Sequence, residues 1–274
     1  MAASSRPSQA ENISPPPSPF SVAVLGAGRV GGSFANSLRA AGHDVIAELH
    51  RDDDPSPIAR ADVIVIAVPD DALSGSVAVV ERLGRPGSVV IHTCGIHGTE
   101  PLAGCGPFVA AVHPARPIAS PEQPLDGVIF GVTAPDEMRA WCETFVCDLG
   151  GEAMFVAAED RVAYHAALCI ASNFAVALAA DSADLLGGHE VLIPALRANV
   201  ENIARLGPDA ALTGPVSRGD VGTVRAHLRA LPSHLLESYV ANARRVLARA
   251  VGSGMLDEAK AARVADALEE AMVR

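Results

Sequence analysis

Lysine is almost missing from this 274-residue chain: of 21 basic residues only Lys260 is lysine, and the rest are arginine. Schiff-base or lysine-acid chemistry would therefore rest on one residue near the C-terminal end. Basic charge as a whole is short, since 32 acidic residues leave a net charge of −11. No basic field exists to displace counterions from a polynucleotide and no stretch interleaves Arg with aromatics, so nucleic acid is not an expected partner. The five cysteines, Cys94, Cys105, Cys142, Cys147 and Cys169, form no CxxC pair and are odd in number. That suits reduced thiols in a cytoplasmic protein better than a disulfide framework. An apolar h-region is also missing from Met1 to Pro19, a Ser- and Pro-rich stretch read as a disordered tail rather than a secretory signal.

What is present is a globular composition, with 49% hydrophobic and 19% charged residues. From Phe20 onward short β-branched runs alternate with amphipathic stretches, the pattern of a parallel sheet wrapped by helices. Strands are predicted at 21–25, 44–49, 62–68, 88–92, 108–113, 127–132 and 152–156, with helices between them at 30–41, 71–83 and 135–149. After Ala157 no β-branched run recurs, and Gly and Pro divide the rest into helices at 159–187, 189–206, 219–231, 233–251 and 255–272. The reading is an α/β, doubly wound, mostly parallel sheet domain over 20–157, followed by an all-α domain over 158–274.

The run from Ala163 to Ala180 is apolar enough to raise the question of a membrane span. Tyr164, His165, Ser172 and Asn173 interrupt it, and Glu159, Asp160, Arg161, Asp181 and Asp184 flank it. A buried central helix with one polar stripe facing a cleft is the expectation, and no membrane partner.

The strongest local motif is Gly26-Ala27-Gly28-Arg29-Val30-Gly31, a GxGxxG that follows the strand Val22 to Leu25 and opens an amphipathic helix. In that order the first Gly permits the tight turn, the second lets a pyrophosphate approach the backbone, and the third lets helix and strand pack closely. The helix N-terminus adds free N–H groups and partial positive charge. Gly26, Gly28, Arg29, Val30 and Gly31 are thus candidate dinucleotide contacts. The choice between NAD and NADP is read at the end of the second strand, where Arg51 would hold a 2′-phosphate. Arg51 and Arg29 favour NADP, whereas Asp52, Asp53 and Asp54 either favour NAD or simply pair with Arg51.

Ligands of open α/β sheets lie beyond the carboxyl ends of the strands. Val68 and Pro69 follow the third strand there, with Asp70 read as a helix N-cap. His92 ends the fourth strand and is a cofactor candidate, and His113 ends the fifth and is a substrate candidate, although either could merely satisfy a loop carbonyl. His92, Cys94, His97, Cys105 and His113 match no zinc spacing, so no metal is expected.

On the long helix His165, Cys169 and Ser172 follow at i, i+4 and i+7 with Asn173 one step further, giving one polar face. Cys169 reads as a packing residue, and His165 and Asn173 either meet a ligand or hydrogen-bond a neighbouring helix. The loop Ala210-Ala211-Leu212-Thr213-Gly214-Pro215-Val216-Ser217-Arg218-Gly219-Asp220 holds Thr213, Arg218 and Asp220, with Thr213 and Asp220 candidate substrate contacts, between glycines whose backbones suit unusual conformations. Arg218 could clamp a carboxylate, or pair with Asp220 while Asp220 caps the next helix.

Taken together, GAGRVG, VPDDAL, HTCG, HPARPIAS, YHAALCIASN and LTGPVSRGD, in this order over residues 20–251, resemble a family of bacterial Rossmann-like proteins with a C-terminal helical domain of unknown function. That family is related to ketopantoate reductases, 6-phosphogluconate and β-hydroxyacid dehydrogenases and pyrroline-5-carboxylate reductase. The resemblance implies a nicotinamide cofactor or a deazaflavin coenzyme, a small-molecule substrate, an active site between the domains and a homodimer through the helices. Better-known relatives carry a catalytic Lys one turn before an Asn on the first long helix, where this chain has Cys169 before Asn173. Their proton donor therefore does not carry over, and His165 takes that role, with Asn173 orienting a carbonyl and Arg218 anchoring an acid group. The resulting expectation is NADPH-dependent reduction of a small 2-oxo acid such as ketopantoate. An imine substrate, or a non-catalytic dinucleotide sensor, is the alternative.

Overall fold

The computed structural model describes residues 14–273, so the part of the expected tail at 1–13 lies outside the described residues. The chain divides into two compact units, one ending at Phe174 and one running from Ala175 to Arg274. That boundary falls later than the expected one near 157, because Arg161, Tyr164 and His165 pack onto strand ends of the sheet.

In the first unit the strands are β1 (Ser21–Leu25), β2 (Asp44–Leu49), β3 (Val63–Ile66), β4 (Val89–His92), β5 (Val109–Pro114), β6 (Ile129–Thr133) and β7 (Glu152–Phe155). They form one seven-stranded sheet in the order β2-β1-β3-β4-β5-β6-β7. All neighbours are parallel except β5 and β6, where His113 faces Gly131 in an antiparallel pair. Helices α1 (Arg29–Ala40), α2 (Leu73–Leu83) and α3 (Arg139–Asp148) fill the crossovers, and α4 (Arg161–Cys169) follows β7. The doubly wound, mostly parallel expectation and every predicted strand are present, with ends shifted by a residue or two.

Period-two alternation divides the apolar strands between two cores. Val22, Val24, Val63 and Val65 enter the core with Phe34 and Leu38 of α1 and Phe145 of α3. Ala23, Leu25, Ile64 and Ile66 point the other way, to Leu73, Val77 and Val80 of α2. Phe34 is fully buried and meets Phe130 edge-on at 5.8 Å between centroids. At the start of β1 buried His43 stacks on Phe20 at 3.9 Å, and its Nε2 lies 3.0 Å from Asp148 Oδ2. Trp141 stacks on Phe145, and its indole N–H donates to the Pro16 carbonyl.

The second unit holds α5 (Ala175–Leu186), α6 (Leu192–Leu206), the one-turn α7 (Pro215–Arg218), α8 (Val221–Ala230), α9 (Ser233–Gly252) and α10 (Glu258–Met272). Its core, around Val224, Val240, Leu247, Val264 and Leu268, is drawn from α7 to α10. Neither α5 nor α6 contributes a buried residue. The expectation of one buried helix over 159–187 is thereby corrected. A π turn at Ile170–Phe174 interrupts it, and although Ala158–Leu186 has the length and apolarity of a membrane span, none of its apolar window is buried. The reason lies in the positions of the large side chains: Val162, Ile170, Phe174 and Val176 are each more than half exposed, at 65%, 52%, 60% and 67%.

Removing the Phe34 ring from the interface of α1 with the sheet is expected to lower the unfolding free energy by about 3 to 5 kcal/mol, read as a fall in the urea midpoint of Phe34→Ala at unchanged slope.

Candidate active site

Where β1 lies between β2 and β3, the chain reverses its direction of travel across the sheet, and the glycine loop sits at that point. Gly26 has φ +93°, and a Cβ there would run into the Ala67 carbonyl beyond β3. A Cβ on Gly31 would strike the carbonyl of Gly26, so α1 packs directly on the turn. Gly28 differs from both. It caps α1 with φ −83° and no side-chain bond, and nothing lies within 4 Å of where its Cβ would be. A groove of about 720 Å³ opens there, lined among others by Gly26, Gly28, Arg51, Val68 and Pro69. Val30 is half-buried against the core, and Arg29 is exposed at the first turn of α1.

Past β2, two of the three acids that could have neutralised Arg51 are engaged elsewhere, and Asp52 forms no ion pair with it among the described residues. Asp53 accepts the His50 N–H at 2.7 Å, Asp54 accepts from Ser56, and Glu48 pairs with Arg39. Among the described residues Arg51 joins no ion pair and borders the groove.

Further along the strand ends the outcome is mixed. His92 is fully buried, with Nε2 2.6 Å from the Gly98 carbonyl and Nδ1 accepting the Cys94 N–H at 3.2 Å. Burial pushes its pKa down to about 4. Both nitrogens are used, so the reading of His92 as a cofactor contact is corrected: it pins the loop after β4. Asp70 does not cap a helix either, since it lies inside a 3-10 turn capped by Pro69; burial first, and then the Asp70 carboxyl, push the Cys94 thiol's pKa up.

His113 sits at the end of β5 with Nδ1 3.0 Å from the Tyr164 hydroxyl and its ring 5.6 Å from that of His165. Burial first, then the Arg161 charge, holds its pKa at about 4. The Tyr164 hydroxyl occupies the space a Cβ on Gly131 would need, and the His165 ring occupies that of a Cβ on Gly95. Arg161 is wholly buried and donates to the Gly131 carbonyl at 3.0 Å and the Cys94 carbonyl at 2.6 Å. Sequence reasoning noted Arg161 only as a charge flanking an apolar run, Tyr164 only as an interruption of that run and Gly95 only within HTCG, and it missed Gly131.

On α4 and the π turn, Cys169 Sγ lies 3.8 Å from His165 Nδ1, and the Asn173 amide donates to the same sulfur at 3.9 Å. His165, Cys169 and Asn173 thus form one polar file, while Ser172 turns away to bond the Leu168 carbonyl. In the second unit, Asp220 caps α8 by accepting the Thr223 N–H at 3.0 Å. Arg218 donates to the Thr213 carbonyl rather than forming an ion pair with Asp220. Gly219 has φ +73° as its position requires, but Gly214, at φ −75°, has an ordinary backbone.

Residues 51–114 match a Rossmann-like domain, and residues 128–246 match a domain of unknown function, DUF2520. The DUF2520 match begins beside β6, so that domain takes in the last two strands as well as the helices through most of α9. A Bacteroides fragilis protein assigned provisionally as an NADP oxidoreductase superposes with a TM-score of 0.70 at 19% identity, over 83% of this chain and 97% of its own. A Thermotoga maritima protein described without an activity does so with 0.64 at 21%, over 85% and 99%. The arogenate dehydrogenase of Synechocystis follows with 0.51 at 17%, over 92% and 85%. At such identities the likeness is one of fold. No curated protein matches the sequence.

Because the folded pKa of His92 is depressed, its contribution to stability is complete above the unfolded value of about 6.5 and is lost as pH falls through about 4. Unfolding free energy from urea titrations is expected to drop by roughly 3 kcal/mol across that window on account of this group. His92→Leu should be less stable at pH 7 but show a shallower acid limb.

Proposed function

We propose that the protein is a nicotinamide-dinucleotide-dependent oxidoreductase that uses NADPH to reduce the carbonyl of a small oxo acid. The observation that carries this reading is the open, uncapped start of α1 at Gly28, facing the groove at the sheet's switch point. Free N–H groups and the helix dipole fit a pyrophosphate there, and unpaired Arg51 on the groove wall fits a 2′-phosphate. When bound, the dinucleotide supplies a hydride.

The chain's own part is to bind, orient and move a proton. His165 is assigned proton delivery to the carbonyl oxygen, since it reaches the strand-end crevice without a strong partner at its ring nitrogens. His113 is assigned a hydrogen bond to the substrate. Asn173 orients the carbonyl, Arg218 anchors the acid group, and Thr213 and Asp220 shape the loop that holds Arg218. Ketopantoate is the first substrate to assay and a pyrroline carboxylate the second. A dinucleotide sensor would bind without turnover.

Trp141 does not border the groove, so emission of the reduced nicotinamide is the readout for binding. NADPH is expected to bind more tightly than NADH, and Arg51→Ala should weaken NADPH about tenfold or more while leaving NADH unchanged, as loss of a charge-assisted contact implies. Gly28→Val should still fold, because its Cβ meets empty space, at a cost of about 1 kcal/mol for the poorer helix cap, yet lose NADPH binding. Binding of a deazaflavin coenzyme in place of either nucleotide would overturn the cofactor assignment. With a substrate found, His165→Ala should lower kcat by about a hundredfold or more, and an unchanged kcat would remove it from the reaction.

We also infer a homodimer formed through the helical unit. Val176, Leu185 and Leu186 of α5 and Val200 and Ile203 of α6 are exposed, and Asp181, Asp184 and Glu201 interspersed among them suit a second copy rather than lipid. Light scattering at micromolar concentration should give twice the chain mass, and Val200→Glu should shift it toward the monomer. A monomeric wild type would refute the dimer.

A further inference from the structure

Arg161 is the anomaly of the first unit. Its side chain is wholly buried, yet no carboxylate pairs with it among the described residues, and its Nε has no hydrogen-bond partner among them. Burying a guanidinium without a counter-ion costs several kcal/mol, and burial accordingly pushes its pKa down. A residue kept at that cost should do something an apolar side chain of the same volume does not.

What it does geometrically is span three elements. One terminal nitrogen donates to the Cys94 carbonyl just beyond β4, the other to the Gly131 carbonyl on β6, and the guanidinium carbon lies 5.5 Å from the centre of the Tyr164 ring. A planar fork reaches two divergent carbonyls at once, which an ammonium on a flexible stem does not. Each of the three contacts leads to a histidine. Tyr164 Oη lies 3.0 Å from His113 Nδ1, with the two rings perpendicular at 88°. Gly95, next in chain after Cys94, is the surface on which the His165 ring rests, and Gly131 gives up its Cβ space to the Tyr164 hydroxyl.

We infer that Arg161 is a positioning residue that sets both histidines of the crevice, His113 through Tyr164 and His165 through the Cys94-Gly95 turn, leaving His113 to serve as a neutral hydrogen-bonding imidazole. The assignment of proton delivery to His165 rests on the function proposed above, but the placement of His113 does not. The groups that face His113 are Arg161, Tyr164 and His165 from α4, His92 from β4 and Asp70 beyond β3. Of these only Asp70 favours the imidazolium, and burial together with the Arg161 charge outweighs it.

Imidazole NMR of the full chain, titrated from pH 8 to pH 4 and assigned with His113→Gln, tests this without cofactor or substrate. The His113 signals of the wild type should stay those of a neutral ring down to about pH 5. In Arg161→Met the midpoint should rise toward the ordinary value of about 6.5, with the His43 ring still shifted by its stack on Phe20 as the sign of an intact fold. Arg161→Lys keeps the charge but not the fork, so it should leave the midpoint low while shifting the ring signals of His113 and His165 at neutral pH, and unshifted signals would overturn the positioning role. Tyr164→Phe removes only the hydroxyl and should shift the His113 nitrogen signals at neutral pH. Wild-type His113 titrating near 6.5, or an unchanged His113 midpoint in a folded Arg161→Met, overturns the inference. Should Arg161→Met fail to fold, Arg161→Lys decides, with shifted His113 and His165 ring signals at neutral pH supporting the inference and unshifted ones overturning it. A protein that failed to bind NADPH would still pass or fail these spectra on its own account.

Discussion

A sheet buried on both faces leaves its polar side chains only the strand ends, and that constraint arranges the rest of the first unit. Val63 to Ile66 are buried on either side, as are Val89 to His92, so the first positions off the packed faces are Ala67 to Pro69, Thr93 to Gly95 and His113. The glycine loop leaves β1 at the same edge. Groove and histidine cluster thus share the carboxyl end of the parallel strands because no other part of the sheet can accept them.

Local pattern made much of this legible. Unbroken apolar runs with β-branched residues marked the strands, and a strand followed by GxGxxG and an amphipathic stretch marked the turn, because each signal depends on neighbours a few residues away. What stayed hidden depends on neighbours far along the chain. Arg161 becomes interpretable only when Cys94 and Gly131 are known to lie beside it, and Gly131 lies there because β6 runs antiparallel to β5, a reversal no local pattern records. His92 and His113 looked alike as strand-end histidines. One is enclosed by its own loop through Gly98 and Cys94, the other reaches Tyr164 from a distant helix, and only the loop's path separates them.

The helix after β7 was misjudged for a related reason. Apolarity nearly all round a helix says that its surface is to be covered, not by what. Within a single chain α5 and α6 contribute nothing to the core of the second unit, which α7 to α10 complete among themselves. The apolar residues that suggested burial inside the monomer stay exposed on α5 and α6, and they are the surface that the proposed second copy would cover.

The scarcity of lysine then shapes the chemistry open to the site. A lysine acid is a compact charge that can be placed by one helix, whereas an imidazole must be oriented about its ring and kept in the right tautomer. Orientation calls for rigid walls, and here they are made by glycines: Gly95 lets the His165 ring lie on the backbone, and Gly131 lets Tyr164 close on His113. Such walls hold only if the two strands they belong to are fixed in register, and β4 and β6 are not neighbours in the sheet. A buried arginine bonded to both is a direct way to fix them across the intervening β5. On the reading proposed here, the uncompensated charge of Arg161 and the absence of a lysine on α4 belong together, with the positive charge holding the walls of the histidine pair through two carbonyls.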